Sequence, residues 1–134
     1  MRCYTREKMT ERTRILVADD SDLVLAVAES LLSQSGYEVL RASDGLAALR
    51  AIREHRPSLV VLDLLMPKMT GFDVLREMRR EEAIAGIPVV VMSGVYKENV
   101  VGFLRQIGVS GFLDKENLEA TLVARVREIL AVSG

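Results

Sequence analysis

The 134 residues are 49% apolar and hold 18 basic against 19 acidic side chains, for a net charge of −1. That is the size of one domain with a self-sufficient core, and the balanced charge excludes the basic field of a nucleic-acid binder or a polybasic membrane patch. A single cysteine, Cys3, excludes an internal disulfide or a thiolate cluster, and no stretch has the character of a membrane span or a signal peptide, so a cytoplasmic protein is expected.

Residues 1–13 (MRCYTREKMTERT) are polar and mixed in charge and read as a flexible arm ahead of one domain over 14–134. A first strand is expected over 14–19 (RILVAD) and a first helix over 23–35, where apolar residues recur at spacings of three and four. Gly36 stands where that helix should stop. A second strand over 37–42 (YEVLRA) leads to a helix over 46–56, and a third over 59–63 (LVVLD) to a helix over 72–82. Thr70, three residues before Asp73, has the spacing of a capping box for the latter. The fourth strand is expected over 87–93 (IPVVVMS), the fourth helix over 98–107 with Gly108 at its end, and a short fifth strand over 110–113 (SGFL). The fifth helix, 118–131, buries Leu118, Leu122, Val126, Ile129 and Leu130 on one face and leaves Glu119, Arg125, Arg127 and Glu128 to solvent.

Three of the strands are nearly continuous apolar runs, the pattern of strands covered on both faces. Five strand–helix repeats on short links give an α/β fold, a doubly wound (βα)5 parallel sheet with helices on both faces. Ligands of such sheets bind beyond the C-terminal strand ends. Those ends can be read directly: Asp19 and Asp20 after the first strand, Asp63 after the third, Ser93 after the fourth, and Lys115 just past the fifth.

Asp63 stands amid VVLDLLM, where an isolated carboxylate is costly. Either it marks the mouth of a site or it is a structural acid with a hidden partner. Two carboxylates about 4 Å apart repel by roughly 4 kcal/mol at an effective dielectric near 20, so the cluster needs a cation or a proton. Oxygen ligands with room for water suit Mg²⁺, with Mn²⁺ as a substitute. A carboxylate nucleophile, a divalent ion, an ammonium and a hydroxyl together form a kit for phosphoryl transfer.

Asp19-Asp20, Asp63 followed by Met66-Pro67 and Gly71, then Ser93 and Lys115, resemble the receiver domain of two-component response regulators across residues 14–131. The resemblance implies the flavodoxin-like strand order 2-1-3-4-5. It also implies that Asp63 accepts a phosphoryl group from a sensor histidine kinase or phosphotransfer protein, without enzymatic turnover of other substrates. Mg²⁺ would be held by Asp20, Asp63 and the backbone carbonyl of Leu65, with Asp19 acting through water. Lys115 would pair with the acyl phosphate, Ser93 would hydrogen-bond a phosphoryl oxygen after transfer, and Phe112 would be the aromatic switch. Signal output to a downstream protein, or weak homodimerisation of an otherwise monomeric chain, would use the fourth helix, fifth strand and fifth helix, including Val100, Leu104 and Phe112.

Two positions depart from the family pattern. Glu116 follows Lys115 where the family usually has proline, which leaves the Lys115 pose and the isomer of that bond open. Leu65 and Val95, two residues past Asp63 and Ser93, are apolar where the family's phosphate lifetime is set. Plainer roles compete: Asp19 and Asp20 as the cap and first turn of the first helix, Ser93 as a turn residue, Lys115 as a surface amine, Phe112 as core. His55, the lone histidine, is expected exposed at a helix end. No phosphate-cradling glycine motif of a nucleotide site is present. Competing functions are a phosphorylation-independent adaptor and a phosphohydrolase with an aspartyl nucleophile, for which the adjacent Asp19-Asp20 pair and the small size are the wrong pattern.

Overall fold

The computed structural model describes residues 13–94 and 98–133. Most of the expected arm, residues 1–12, therefore lies outside the described residues, as does Val95. Chain order is β1 (Arg14–Ala18), α1 (Asp22–Gln34), β2 (Glu38–Ala42), α2 (Gly45–His55), β3 (Leu59–Asp63), α3 (Gly71–Arg80), β4 (Val89–Ser93), α4 (Glu98–Ile107), β5 (Gly111–Asp114), a three-residue 3-10 turn (Lys115–Asn117) and α5 (Leu118–Ser133). The strands form one parallel sheet in the order β2-β1-β3-β4-β5. The expected fold is thus the observed one.

The strand pleat sorts side chains into two cores. Leu16, Ala18, Val60, Leu62, Val89 and Val91 face one way and pack with Ala48 and Ile52 of α2, Val74 and Met78 of α3, and Leu104 of α4. Their neighbours Ile15, Val17, Leu59, Val61, Val90 and Met92 face the other way, onto Leu25, Ala28 and Leu32 of α1 and Leu118, Leu122, Val126 and Ile129 of α5. Because both faces are covered, β3 is buried throughout, which accounts for its unbroken apolar sequence.

The boundaries shift from the expected ones for local reasons. Tyr37 gives its N–H to the Leu32 carbonyl and so closes α1 instead of joining β2. Gly36, at φ 94°, and Gly108, at φ 105°, take the left-handed conformation that ends α1 and α4. Pro88 has no N–H to give the sheet, and β4 starts after it. Helix α3 stops at Arg80 rather than residue 82, since Glu81 turns extended and pairs with Arg53 of α2. His55 is exposed at the end of α2, as expected.

Arg79 joins segments that the sheet does not. Its Nη1 donates to the carbonyls of Ala85 at 2.7 Å and Ile87 at 3.2 Å, and its Nη2 to that of Gly108. Partial burial lowers the pKa of its guanidinium, which stays charged all the same. Arg79→Met, which keeps the stem and removes the donors, is expected to lower stability by about 2 kcal/mol in denaturant titrations. Exposed Arg76→Met, on the same helix, is expected to change it by less than about 0.5 kcal/mol.

At the sheet edge where the strands begin, Thr13, Pro57, Ser58, Pro88 and Leu130 line one open depression. The strands all end at the opposite edge.

Candidate functional site

That opposite edge gathers the expected acids. Asp19 follows β1, is fully buried, and its Oδ1 accepts the Ser21 N–H at 2.9 Å. Ser21, not either aspartate, caps α1: its Oγ accepts the Val24 N–H. Asp19 and Asp20 are therefore released from the plainer role of capping. Asp63 ends β3 with 3% exposure, and its Oδ1 accepts a long 3.4 Å bond from the Leu65 N–H. Asp19, Asp20 and Asp63 each offer an oxygen, and all three oxygens lie within 4.8 Å of one another. Asp20 is exposed, so the cluster opens to solvent on its side.

Lys115 reaches the two buried members, with Nζ 2.8 Å from Asp19 Oδ2 and 3.0 Å from Asp63 Oδ2. It does so over a trans peptide, since no peptide bond among the described residues is cis. The glutamate at 116 thus leaves the ammonium in the site. Both Oδ2 atoms are buried, and the Lys115 ammonium is the charge that meets them. Burial is the main cause that raises the pKa of Asp63; the Asp19 charge adds to it, and Lys115 opposes it. Burial acts to lower the pKa of Lys115, but its contacts with Asp19 and Asp63 prevail and the net shift is upward. One ammonium against two buried carboxylates leaves an excess of negative charge, and two buried carboxylates beside an exposed third acid are a donor set that fits a hard divalent cation.

The loop after Asp63 is fixed by close backbone contacts. A Cβ on Gly71 would stand 2.2 Å from the Asp63 carbonyl oxygen, and one on Gly45 would stand 1.8 Å from that of Met69. Helix α3 opens with Thr70 accepting the Asp73 N–H, one half of the expected box. Lys68, at φ 69°, lies 3.6 Å from Asp44, the cap of α2. The Asp44 carboxyl is held below its usual pKa, chiefly by the Ala47 N–H, with Lys68 adding to the effect.

The remaining expected residues stand as follows. Ser93 ends β4, opposite Asp114 of β5 in register. Leu65 is 73% exposed at the mouth. Phe112 is partly buried against the α2–α4 core, and the Arg105 guanidinium lies 5.6 Å from its ring centre. Leu104 is fully buried, whereas Val100 is partly exposed, so of the two expected contact residues on α4 only Val100 reaches the surface.

Asp114, which is not among the residues expected from sequence, accepts the Glu116 N–H at 2.9 Å and caps the turn holding Lys115. An aspartate two residues ahead of a non-proline N–H was the available signal.

Comparison with known proteins places these features in a family. A family profile described as the response regulator receiver domain matches residues 15–127. The DNA-binding dual master transcriptional regulator RpaA of Synechocystis is 34% identical over 119 residues, 87% of this chain and 48% of that protein. The chain spans about half the length of this and other curated relatives it matches. A CheY-like receiver domain from Methanospirillum hungatei superposes with TM-score 0.84 over 91% of this chain and 96% of that one, at 23% identity. The Mn²⁺-bound form of the response regulator Rcp1 superposes with TM-score 0.70 over 90% and 91%, at 26% identity.

Proposed function

Because the chain belongs to the response regulator receiver domain family of two-component systems, we propose that Asp63 is its phosphoacceptor. The observation that carries this reading is the contact of one ammonium, Lys115, with two buried carboxylates, Asp19 and Asp63, beside the exposed Asp20.

In the proposed step an Asp63 carboxylate oxygen attacks phosphorus in line. The bond from phosphorus to the donor's histidine nitrogen breaks, and the departing imidazole takes a proton from solvent. The new acyl phosphate brings negative charge that Lys115 would offset, and Ser93 would be the hydroxyl that meets a phosphoryl oxygen. Mg²⁺, or Mn²⁺ in its place, would be held by Asp20, Asp63 and the Leu65 carbonyl, with Asp19 through water; when bound it supplies the positive charge that phosphoryl transfer draws on. The donor is a sensor histidine kinase or a phosphotransfer protein. The response leaves through α4, β5 and α5 to a downstream protein, with Phe112 as the moving aromatic. A part in transcriptional control is favoured by the name of the longer relative.

The deciding experiment is incubation with Mg²⁺ and acetyl phosphate, followed by mass spectrometry of the trapped acyl phosphate. Phosphorus on Asp63 is the expected result; phosphorus absent, or found on another carboxylate, refutes the proposal. Mg²⁺ alone is expected to stabilise the protein by about 2.7 kcal/mol at a hundredfold excess over its Kd. Asp20→Asn should remove most of that gain, as read by thermal melts with and without Mg²⁺.

A further inference from the structure

The geometry points to Asp114 as a positioning residue, one that aims Lys115 between Asp19 and Asp63 by capping the turn on which the lysine stands. The inference rests on the phosphoacceptor reading of that site.

Lys115 begins the 3-10 turn Lys115–Asn117, immediately past the last residue of β5. The direction of its stem is therefore set by the backbone at 114–116. The Asp114 carboxylate spans this segment, accepting the Glu116 N–H at 2.9 Å with its own backbone extended at φ −91°, ψ 124°. The arrangement needs an N–H at position 116, which proline would not offer. On one side the turn is tied to the sheet, where Asp114 stands opposite Ser93. On the other it runs into α5, where Leu118 is buried and the Thr121 hydroxyl donates to the Asn117 carbonyl at 2.8 Å. With both sides tied, the Asp114 side chain sets the bend between them, and Nζ falls on two buried carboxylates at 2.8 and 3.0 Å. Asp114 itself is exposed and stands outside the acidic cluster, so it acts through Lys115.

A residue that aims a cation has opposite effects on two readouts. With Lys115 released, phosphorylation by acetyl phosphate should slow by about tenfold through lost alignment. Mg²⁺ should bind about threefold more tightly in calorimetric titration, because a competing cation has left the carboxylates. These results are expected for Asp114→Ala in the full chain. Asp114→Asn keeps the accepting oxygen and should restore both values. In a Lys115→Ala chain, Asp114→Ala should change neither.

A fall in both rate and Mg²⁺ affinity would mark general loosening and overturn the proposal. So would a wild-type result from Asp114→Ala, or the same shifts when Lys115 is absent. If the parent chain takes up no phosphoryl group, the phosphoacceptor reading fails, and the Mg²⁺ titration alone decides the role of Asp114.

Discussion

Asp63→Asn is expected to abolish phosphoryl uptake and, with divalent cations removed, to make the protein more stable than the parent. The loss follows from chemistry, because a carboxamide is a poor nucleophile and its phosphoryl adduct does not form. The gain follows from charge. In the parent, one ammonium faces two buried carboxylates, and burial keeps the Asp63 pKa above the usual 3.8. The amide fills the same space and leaves Lys115 and Asp19 as a balanced pair.

The sign of the pH dependence follows. Above pH 3.8 the unfolded Asp63 carboxyl has lost its proton, while the folded one keeps it to a higher pH. Across that window the folded state binds more protons, so this residue's contribution to stability falls as pH rises and stays lowered above it. The advantage of Asp63→Asn is therefore small near the lower bound and reaches about 1–2 kcal/mol at neutral pH, or roughly 3–8 °C in Tm. Melting curves in chelator across that range test it. An amide variant that melts with the parent at neutral pH would mean that Lys115 fully compensates both acids. Adding Mg²⁺ should narrow or reverse the difference if the ion binds as proposed, since the parent alone keeps all three clustered carboxylates.

Gly71→Ala is the second large effect. The added methyl would sit 2.2 Å from the Asp63 carbonyl oxygen and 2.8 Å from the Leu64 Cα, and both obstacles are backbone that cannot swing aside. Gly71 also donates its N–H to the Leu64 carbonyl at 2.9 Å, so loop and helix cannot part without losing that bond. The expected cost is about 3 kcal/mol, at the upper end of overpacking penalties. Asp63 must shift by tenths of an ångström or more, and phosphorylation should slow by at least tenfold in protein that remains folded. Gly86→Ala is the control: its Cβ would meet nothing within 4 Å, and stability should change by less than about 0.5 kcal/mol. Equal effects from the two substitutions would show that the close approach at Gly71 relaxes without cost.

The strand ends that bear the site were legible because each follows an apolar run, and such runs are read without knowing their neighbours. Strand beginnings were less so. Tyr37 and Ile87 have suitable side chains, but their N–H groups close turns onto Leu32 and Ile84, a choice made by the preceding segment. Helix α3 read too long because the attraction of Glu81 to Arg53 spans 28 residues and leaves no periodic trace. At the site, residue types and spacing pointed to Asp19, Asp20, Asp63 and Lys115. That one ammonium touches both buried acids was not legible, because it depends on how β5 bends into its turn. Ser21 and Asp114 were missed as caps although their residue types favour that role. The three carbonyls gathered by Arg79 come from two loops, those of Ala85 and Ile87 ahead of β4 and that of Gly108 after α4, and are invisible to any local pattern.

Both ends of the described chain share one pole of the molecule. Thr13 precedes β1 and Leu130 lies near the close of α5, and the two border the same depression, while the acids sit a strand's length away, about 16 Å for five residues. A fluorescent protein or affinity handle grafted just after α5 would hang from the pole remote from Asp63. The phosphoryl donor proposed for Asp63 would then meet an uncluttered face, so such a fusion should take up phosphoryl groups at the parent's rate.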